Sequence, residues 1–183
     1  MGEIIAIEKD LEESDLVTIE GRTPLFITAV MKLLMTKDEE RGRRIIKHGF
    51  DEDNFDLSQC VKYAEENSLD NTTFFFNQSY AWFDSRSSSS RNNRDFGWLM
   101  DQVLRQKCRI FISASHFDTL DKRVRRAVSA RLLVRPKVKD GVVYAAVVRA
   151  VDLKTGERDM VEVSIDERVP YDNSFSEIMS DLR

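Results

Sequence analysis

Short apolar runs alternate with segments of helical periodicity between residues 16 and 135. Four of these runs are mostly apolar and end at polar or glycine residues, which is typical of strands buried on both faces of a parallel sheet. They are Leu16–Glu20, Thr72–Phe76, Arg109–Ser113 and Arg131–Arg135. A further short edge strand is predicted at Ile4–Ile7.

Apolar residues recur at helical spacing between these runs. The helix predicted at Leu25–Met35 has Thr23 as its N-cap and Pro24 at its first position, where a missing N–H costs nothing. The other predicted helices are Leu57–Asn67, Asp95–Gln106 and Asp118–Ala127, while Lys37–Lys47 and Gly49–Leu57 are predicted to be connections. The alternation of strands and helices predicts a three-layer α/β domain with a mostly parallel sheet.

The pattern changes after Pro136. Gly141–Val151 and Glu157–Ile165 are β-branched and apolar runs, and the short turn between them predicts a β-hairpin. We therefore divide the chain into a core at residues 1–135 and an extension at residues 136–183 that packs on the same domain. The extension ends in a peripheral tail from Asp166 onwards.

The composition is that of an ordinary soluble protein. At 183 residues and 42% hydrophobic, the chain can bury a sizeable core as one domain. A formal charge of -4 gives no overall basic field that would favour nucleic acid. Cys60 and Cys108 lie far apart and in no metal-ligand spacing, which favours reduced thiols. No run approaches the roughly 20 apolar residues of a membrane span, so we predict a cytoplasmic protein, the cytoplasm of a host cell included.

Polar residues follow the predicted strands at the edge where open α/β sheets bind ligands. Asn77 and Gln78 follow one strand, Ser115 and His116 another, and Gly21 a third. A phosphate-binding loop of the G-x-x-x-x-G-K-[ST] type needs a second glycine and a lysine that reaches the β- and γ-phosphates. Only three residues separate Gly21 from Leu25, and none is lysine. The loop is therefore predicted to be shortened.

The run Phe74–Ser88, which contains Tyr-Ala-Trp-Phe-Asp-Ser-Arg, and the segment Asp121–Arg126 carry a resemblance to a known family. The chain from Leu16 to Arg135 resembles the P-loop ATPases of archaeal viruses, plasmids and their hosts, within the FtsK/HerA-like motor and genome-packaging superfamily. The resemblance implies a RecA-like P-loop NTPase fold with a C-terminal β-hairpin.

The resemblance also implies where catalytic groups would stand. In these ATPases the corresponding strand ends in Asp-Glu, which hold the Mg²⁺ shell and polarise the attacking water; the matching positions here are Asn77 and Gln78. An amide has no charge to set against Mg²⁺ and accepts no proton at neutral pH. Ser115 stands where the family has a glutamine that senses the γ-phosphate. We therefore expect no hydrolysis, no catalytic residue and no cofactor, and we expect neither ATP nor Mg²⁺ to bind.

Several residues have two interpretations. Gly21, Arg22 and Thr23 form either a residual anion site at a helix N-terminus or a tight turn without a ligand. Asn77 and Gln78 either bind a ligand or are relics satisfied by neighbouring backbone. His116 is interpreted as an ordinary histidine rather than a metal ligand, and no metal site is predicted. Six arginines are either fingers that reach a neighbouring subunit, phosphate contacts to nucleic acid or a solvated basic face: Arg86, Arg91, Arg94, Arg123, Arg125 and Arg126.

The function that these residues favour is that of a catalytically inactive ATPase of an archaeal virus or mobile element. Its predicted partners are a second copy of itself, an active ATPase relative or nucleic acid, with no membrane. One alternative is a nucleotide-binding enzyme that uses Arg22, Asp84 and His116. The other is a nucleic-acid-binding module that uses the loop Arg86–Arg94 and the helix around Arg123–Arg126.

Overall fold

A computed structural model describes the greater part of the chain. The described residues are 16–22, 24–50, 57–77, 91–103, 105–106, 108–139, 142–153, 156 and 158–170. The predicted strand Ile4–Ile7, the serine-rich loop before residue 91 and the tail after residue 170 lie outside them.

The described residues form one seven-stranded sheet. Its strands are β1 (Leu16–Glu20), β2 (Arg44–His48), β3 (Thr72–Phe76), β4 (Arg109–Ala114), β5 (Ala130–Lys139), β6 (Val142–Asp152) and β7 (Arg158–Pro170). The spatial order is β2-β3-β4-β1-β5-β6-β7. The first five strands in this order are parallel, and the pairs β5/β6 and β6/β7 are antiparallel. The predicted mostly parallel sheet and the C-terminal hairpin are both confirmed.

Helices cover both faces of the sheet and complete three layers. They are α1 (Pro24–Glu40), α2 (Leu57–Glu66), α3 (Arg91–Val103) and α4 (Lys122–Ala127), with a 3₁₀ turn at Phe117–Thr119. Residues of α1 pack into one apolar core, and residues of α2, α3 and α4 pack into a second. Cys60 and Cys108 are buried in this second core and are not joined in a disulfide.

The three phenylalanines of β3 serve both cores because successive side chains of a strand point to opposite faces. Phe75 stacks on Phe111 of β4 at 4.8 Å between ring centroids, on the α1 side. Phe76 meets Phe96 of α3 edge to face at 5.4 Å, on the other side. All five residues of β3 are buried, which confirms the prediction of a strand covered on both faces.

Two local predictions are wrong. The segment Lys37–Lys47, predicted to be a connection, instead contains the last turn of α1 and most of β2. Only Ile46 and His48 of β2 are buried, since β2 lies at the edge of the sheet; its apolar signal is correspondingly weak. The predicted helix Asp118–Ala127 is two pieces: the 3₁₀ turn ends at Thr119, and α4 begins after Asp121, which caps it by accepting a hydrogen bond from the Arg123 backbone N–H.

The strand β5 continues through Pro136, and β6 pairs with it on both sides of that residue. A proline is compatible with this position only where its missing N–H is not needed for the ladder. The division of the chain at residues 135 and 136 stays a prediction.

A buried ion pair ties the end of α1 to the amino-terminal edge of the sheet. Asp38 and Arg109 are 3% and 7% exposed and bond to each other directly. Asp38 also accepts a hydrogen bond from the Thr73 hydroxyl at 2.7 Å, and Arg43 lies 3.7 Å away. Burial lowers the pKa of the Arg109 guanidinium, and the neighbouring carboxylate opposes that change. This network explains why a charged residue can occupy the inner face of α1.

Candidate functional site at the carboxyl edge of the sheet

The turn from β1 into α1 is held tightly between two neighbouring strands. The Gly21 backbone N–H donates to the Ala114 carbonyl of β4 at 3.3 Å. On the other side, a Cβ added at Gly21 would lie 2.9 Å from the Val134 carbonyl oxygen of β5. Glycine is therefore required here for packing, whether or not the turn also binds an anion. Arg22 is exposed, and Thr23 lies outside the described residues.

Asn77 is buried at the carboxyl end of β3 and bonds to two other elements. Its backbone N–H donates to the His48 carbonyl at 2.8 Å, and its side-chain amide donates to the Thr28 hydroxyl of α1 at 3.0 Å. The sequence leaves a ligand contact and a bond to neighbouring backbone open for this side chain; its amide donates to a hydroxyl on the helix, and both interpretations stay predictions. Gln78 lies outside the described residues.

Gly49 follows β2 and passes directly over the backbone of Asn77. Its φ is +80°, and an added Cβ would lie 2.2 Å from the Asn77 carbonyl oxygen. No side chain larger than hydrogen fits this crossing. Gly49 therefore helps to hold Asn77 in place. Sequence reasoning missed this role because the acidic segment that begins at Gly49 predicts only a loop.

A small cavity lies between the start of α1 and the ends of β3 and β4. Its volume is about 30 Å³, enough for about two waters at ~10–15 Å³ each. Its lining brings together four residues singled out from the sequence, Gly21, Arg22, Asn77 and Ser115, along with Pro24, Ile27, Ser113 and Ala114. These residues come from three separate parts of the chain and meet at one edge of the sheet.

A larger cleft opens on the β5 side of the same turn. Its volume of about 610 Å³ falls within the ~300–1,000 Å³ that small-molecule sites occupy. It is lined by Glu20, Gly21, Arg22, Ser115, His116, Arg131, Leu133, Val134, Arg135 and Pro136. The two cavities share Gly21, Arg22 and Ser115, so the turn after β1 lies between them.

One wall of the larger cleft is an ion pair between neighbouring strands. Arg131 donates two hydrogen bonds to the Glu20 carboxylate, at 2.8 and 2.7 Å, and the Thr18 hydroxyl donates to the same carboxylate at 2.7 Å. The Arg131 guanidinium also lies 4.4 Å from the centre of the Phe117 ring. The hydrogen bonds to Glu20 raise the pKa of Arg131 above its ordinary value. The pair is therefore a rigid and nearly neutral part of the lining.

The arginines predicted to meet partners are not equivalent. Arg123 bonds to Asp121 at 3.0 Å, and Arg125 lies 3.4 Å from Asp118. Burial alone would raise the pKa of the Asp121 carboxyl, but hydrogen bonds from the side chain and backbone of Arg123 outweigh this and lower that pKa. Arg126 is exposed and has no ion pair among the described residues.

The remaining arginines lie elsewhere. Arg94 is exposed on α3, Arg91 begins that helix with a side chain that is not described, and Arg86 lies outside the described residues together with Asp84. Among the described side chains, none of the arginines of α3 or α4 lines either cavity.

His116 is exposed at the rim of the larger cleft. Across the part of the chain that the structure describes, histidine, cysteine and carboxylate side chains form no group of three that could hold a metal ion. A magnesium ion that enters with a nucleotide needs fewer protein ligands, because phosphate oxygens and waters fill most of its shell. None of the described helices combines the length and apolar character that crossing a membrane requires.

Sequence reasoning missed Glu20, Thr28, Arg131 and Arg135. The available signal was a charged residue at the end of an otherwise apolar strand, since Glu20, Arg131 and Arg135 all occupy such positions. The pairing of Glu20 with Arg131 depends on β1 and β5 being neighbours, which the strand order decides.

The fold is that of a RecA-like P-loop NTPase, as solved structures with the same architecture make clear. One is the genome-packaging NTPase B204 of Sulfolobus turreted icosahedral virus 2 in complex with ATP-gammaS, with a TM-score of 0.60 and 8% identity over 82% of this chain and 98% of that one. Another is the N-terminal domain of the zonular occludens toxin of Neisseria meningitidis, with a TM-score of 0.58 and 12% identity over 84% and 96%.

A third is the cytoplasmic domain of the type VII secretion ATPase EccC of Thermomonospora curvata, with a TM-score of 0.55 and 11% identity over 86% of this chain and 24% of that one. No protein-family model matches the chain, and no curated protein sequence does. At these identities the likeness shows the fold.

The expectation that the chain takes no cofactor is wrong in the light of these structures. B204 has been solved with ATP-gammaS, AMP and AMPPCP, so this fold does hold nucleotides in solved structures. The sequence argument counted only the residues of the turn after β1. A shortened turn removes part of the phosphate cradle but leaves the cleft between that turn and β5 open.

Proposed function

We propose that this chain is a nucleotide-binding protein related to the FtsK/HerA-like ATPases, and that it hydrolyses its nucleotide very slowly or not at all. The observation that supports it best is the pair of adjoining cavities at the carboxyl edge of a P-loop NTPase sheet, which share Gly21, Arg22 and Ser115 and of which the smaller also includes Asn77. At these positions the family that the chain resembles has its phosphate loop, its γ-phosphate sensor and its metal carboxylate. Nucleotide binding without efficient turnover suits a role in assembly or regulation.

Slow hydrolysis follows from the chemistry of Asn77. Its side chain carries no charge, and its amide is bonded to Thr28. The chain therefore has a neutral amide at the position where the resemblance expects the carboxylate that orders the metal shell. Removing one preorganised charged or hydrogen-bonding group from such a site costs roughly 10²–10³ in rate.

Calorimetry with Mg-ATP, Mg-ADP and AMP tests the binding, and phosphate release measured on the same samples tests the turnover. We expect saturable binding and a turnover at least a hundredfold below the ~1 per second at the low end of ordinary enzymes. Light scattering on the same samples tests the predicted self-assembly.

Arg105→Ala is a suitable control, since Arg105 is exposed and lines neither cavity. Absence of binding by all three nucleotides would contradict the proposed function. Steady phosphate release at about 1 per second or faster would contradict the proposed slow hydrolysis but not the proposed nucleotide binding.

Nucleic acid is a second candidate ligand, favoured by the exposed end of α4. Arg126 and Lys122 are exposed, while Arg123 and Arg125 are already paired with carboxylates. Removing a side chain that neutralises a DNA phosphate lowers affinity, and it reduces the slope of log K against log salt by about 0.9 per phosphate. We therefore expect Arg126→Ala to weaken DNA binding and flatten its salt dependence, as measured by fluorescence anisotropy.

The matched control is Arg123→Ala, which removes the same charge from the same helix. The Arg123 guanidinium is bonded to Asp121, whereas Arg126 is exposed. Equal effects of the two substitutions would show that only net charge matters. Unchanged binding in Arg126→Ala would rule out α4 as the contact surface.

A further inference from the structure

The larger cleft extends beyond the place where a phosphate-binding loop would lie. In the register of the sheet, Glu20 at the end of β1 is opposite Leu133 of β5. The residues of β5 from Val134 onwards therefore project past the end of β1 and form a wall of the cleft. The space lies beside the turn after β1, whereas the small cavity lies between that turn and Asn77.

The charge of this cleft is positive. Glu20 and Arg131 neutralise each other through two hydrogen bonds. Arg22, from the turn, and Arg135, from β5, are exposed, and neither has an ion pair or hydrogen bond among the described residues. Guanidinium groups bind phosphate oxygens through two parallel hydrogen bonds, so two unpaired arginines on one cleft favour an anionic ligand of this kind.

The same cleft also has an apolar part. Leu133 lines the cleft and lies two positions before Arg135, hence on the same face of β5, whereas Val134 is 5% exposed and belongs to the core beside α1. An apolar wall next to two cations suits a ligand with an anionic end and a flat or apolar end, as a nucleotide has. Inorganic phosphate would use only the arginines.

The small cavity offers much less room. Its volume is about 30 Å³ against about 610 Å³ for the larger cleft, so the larger cleft is the better candidate for a phosphate group together with its nucleoside. Asn77 and Gly21, which line the small cavity, are also held by close contacts to Thr28 and Val134.

We propose that the phosphate of the bound nucleotide lies on the β5 side of the turn, between Arg22 and Arg135, with the nucleoside against Leu133. This inference rests on the proposed function, since it says where and by which residues a nucleotide is bound.

Calorimetry tests this assignment. AMP, ADP and inorganic pyrophosphate are titrated into the wild-type chain and into the variants Arg22→Ala, Arg135→Ala and Arg105→Ala. All three substitutions remove one exposed guanidinium, so circular dichroism is expected to be the same in each. We expect Arg22→Ala and Arg135→Ala each to weaken ADP binding about tenfold or more, as loss of a charge-assisted contact does. Arg105→Ala should bind as the wild type does, and Arg135→Lys should recover only part of the affinity.

The outcomes separate the two proposals. Normal ADP binding in Arg135→Ala overturns the β5-side assignment and leaves the proposed function standing. If only Arg22→Ala loses binding, the phosphate lies at the start of α1. That result also overturns the β5-side assignment and leaves the proposed function standing. Pyrophosphate binding as tight as ADP binding overturns the apolar contact with the nucleoside. Failure of the wild type to bind any nucleotide overturns both proposals.

Discussion

Replacing Gly49 with alanine is expected to lower the free energy of unfolding by about 3 kcal/mol or more, among the largest effects of a single substitution. The left-handed backbone at Gly49 alone costs a non-glycine residue about 1–2 kcal/mol. The rest comes from the added Cβ, which would lie 2.2 Å from the Asn77 carbonyl oxygen. That oxygen belongs to the backbone at the end of β3, so it cannot move aside as a flexible side chain would. Urea denaturation followed by circular dichroism measures the change.

Gly42→Ala separates the two causes. Gly42 has a similar φ of +73°, but nothing lies within 4 Å of its added Cβ. We expect this control to lose only the ~1–2 kcal/mol of backbone strain. Equal losses in the two variants would show that the contact between Gly49 and Asn77 does not limit the fold. Because Asn77 lines the candidate site, any Gly49→Ala protein that still folds should also bind nucleotide more weakly.

Replacing Asp38 with asparagine is expected to cost about 3–5 kcal/mol, because it leaves the Arg109 guanidinium buried beside a neutral amide. Arg109 is 7% exposed, and burial already lowers its pKa. The carboxylate that is removed also accepts the hydrogen bond from Thr73 at 2.7 Å. Chemical denaturation at neutral pH measures the change.

Two comparisons make the test specific. Glu40→Gln removes a carboxylate that is 2.8 Å from Lys37 but 58% exposed, and we expect it to cost less than about 1 kcal/mol. The double variant Asp38→Leu/Arg109→Met removes both charges of the buried pair and should recover part of the stability, since of the charges beside Asp38 only Arg43, whose side chain is 18% exposed, loses its carboxylate neighbour. A destabilisation by Asp38→Asn no greater than that by Glu40→Gln would contradict a buried ion pair.

Residue types alone predicted the position of the candidate site but not its ligand. Asn77, Gly21 and Ser115 each follow a predicted strand, and the parallel arrangement brings them to one edge of the sheet. The ligand of these positions was inferred from a phosphate-loop motif that is incomplete in this chain. The resulting conclusion, that no nucleotide binds, was wrong. A motif describes one way of holding phosphates, whereas the larger cleft depends on a strand that the motif does not include.

The sequence by itself determined the layers of this protein. Runs such as Thr72–Phe76 are apolar at nearly every position and favour strands covered on both faces, and Leu57, Cys60 and Ala64 recur at helical spacing on a buried face. These signals are local, because they depend on the period at which side chains return to the same face. The hairpin after Pro136 was predictable for the same reason.

Only the tertiary structure decided which distant residues meet. β4 lies between β3 and β1, and β5 lies on the other side of β1. That order places Arg131 against Glu20, 111 residues away, and Arg109 against Asp38, 71 residues away. The physical reason is that a charged side chain at a strand end has no local preference for one partner, so its partner is selected by strand order and register.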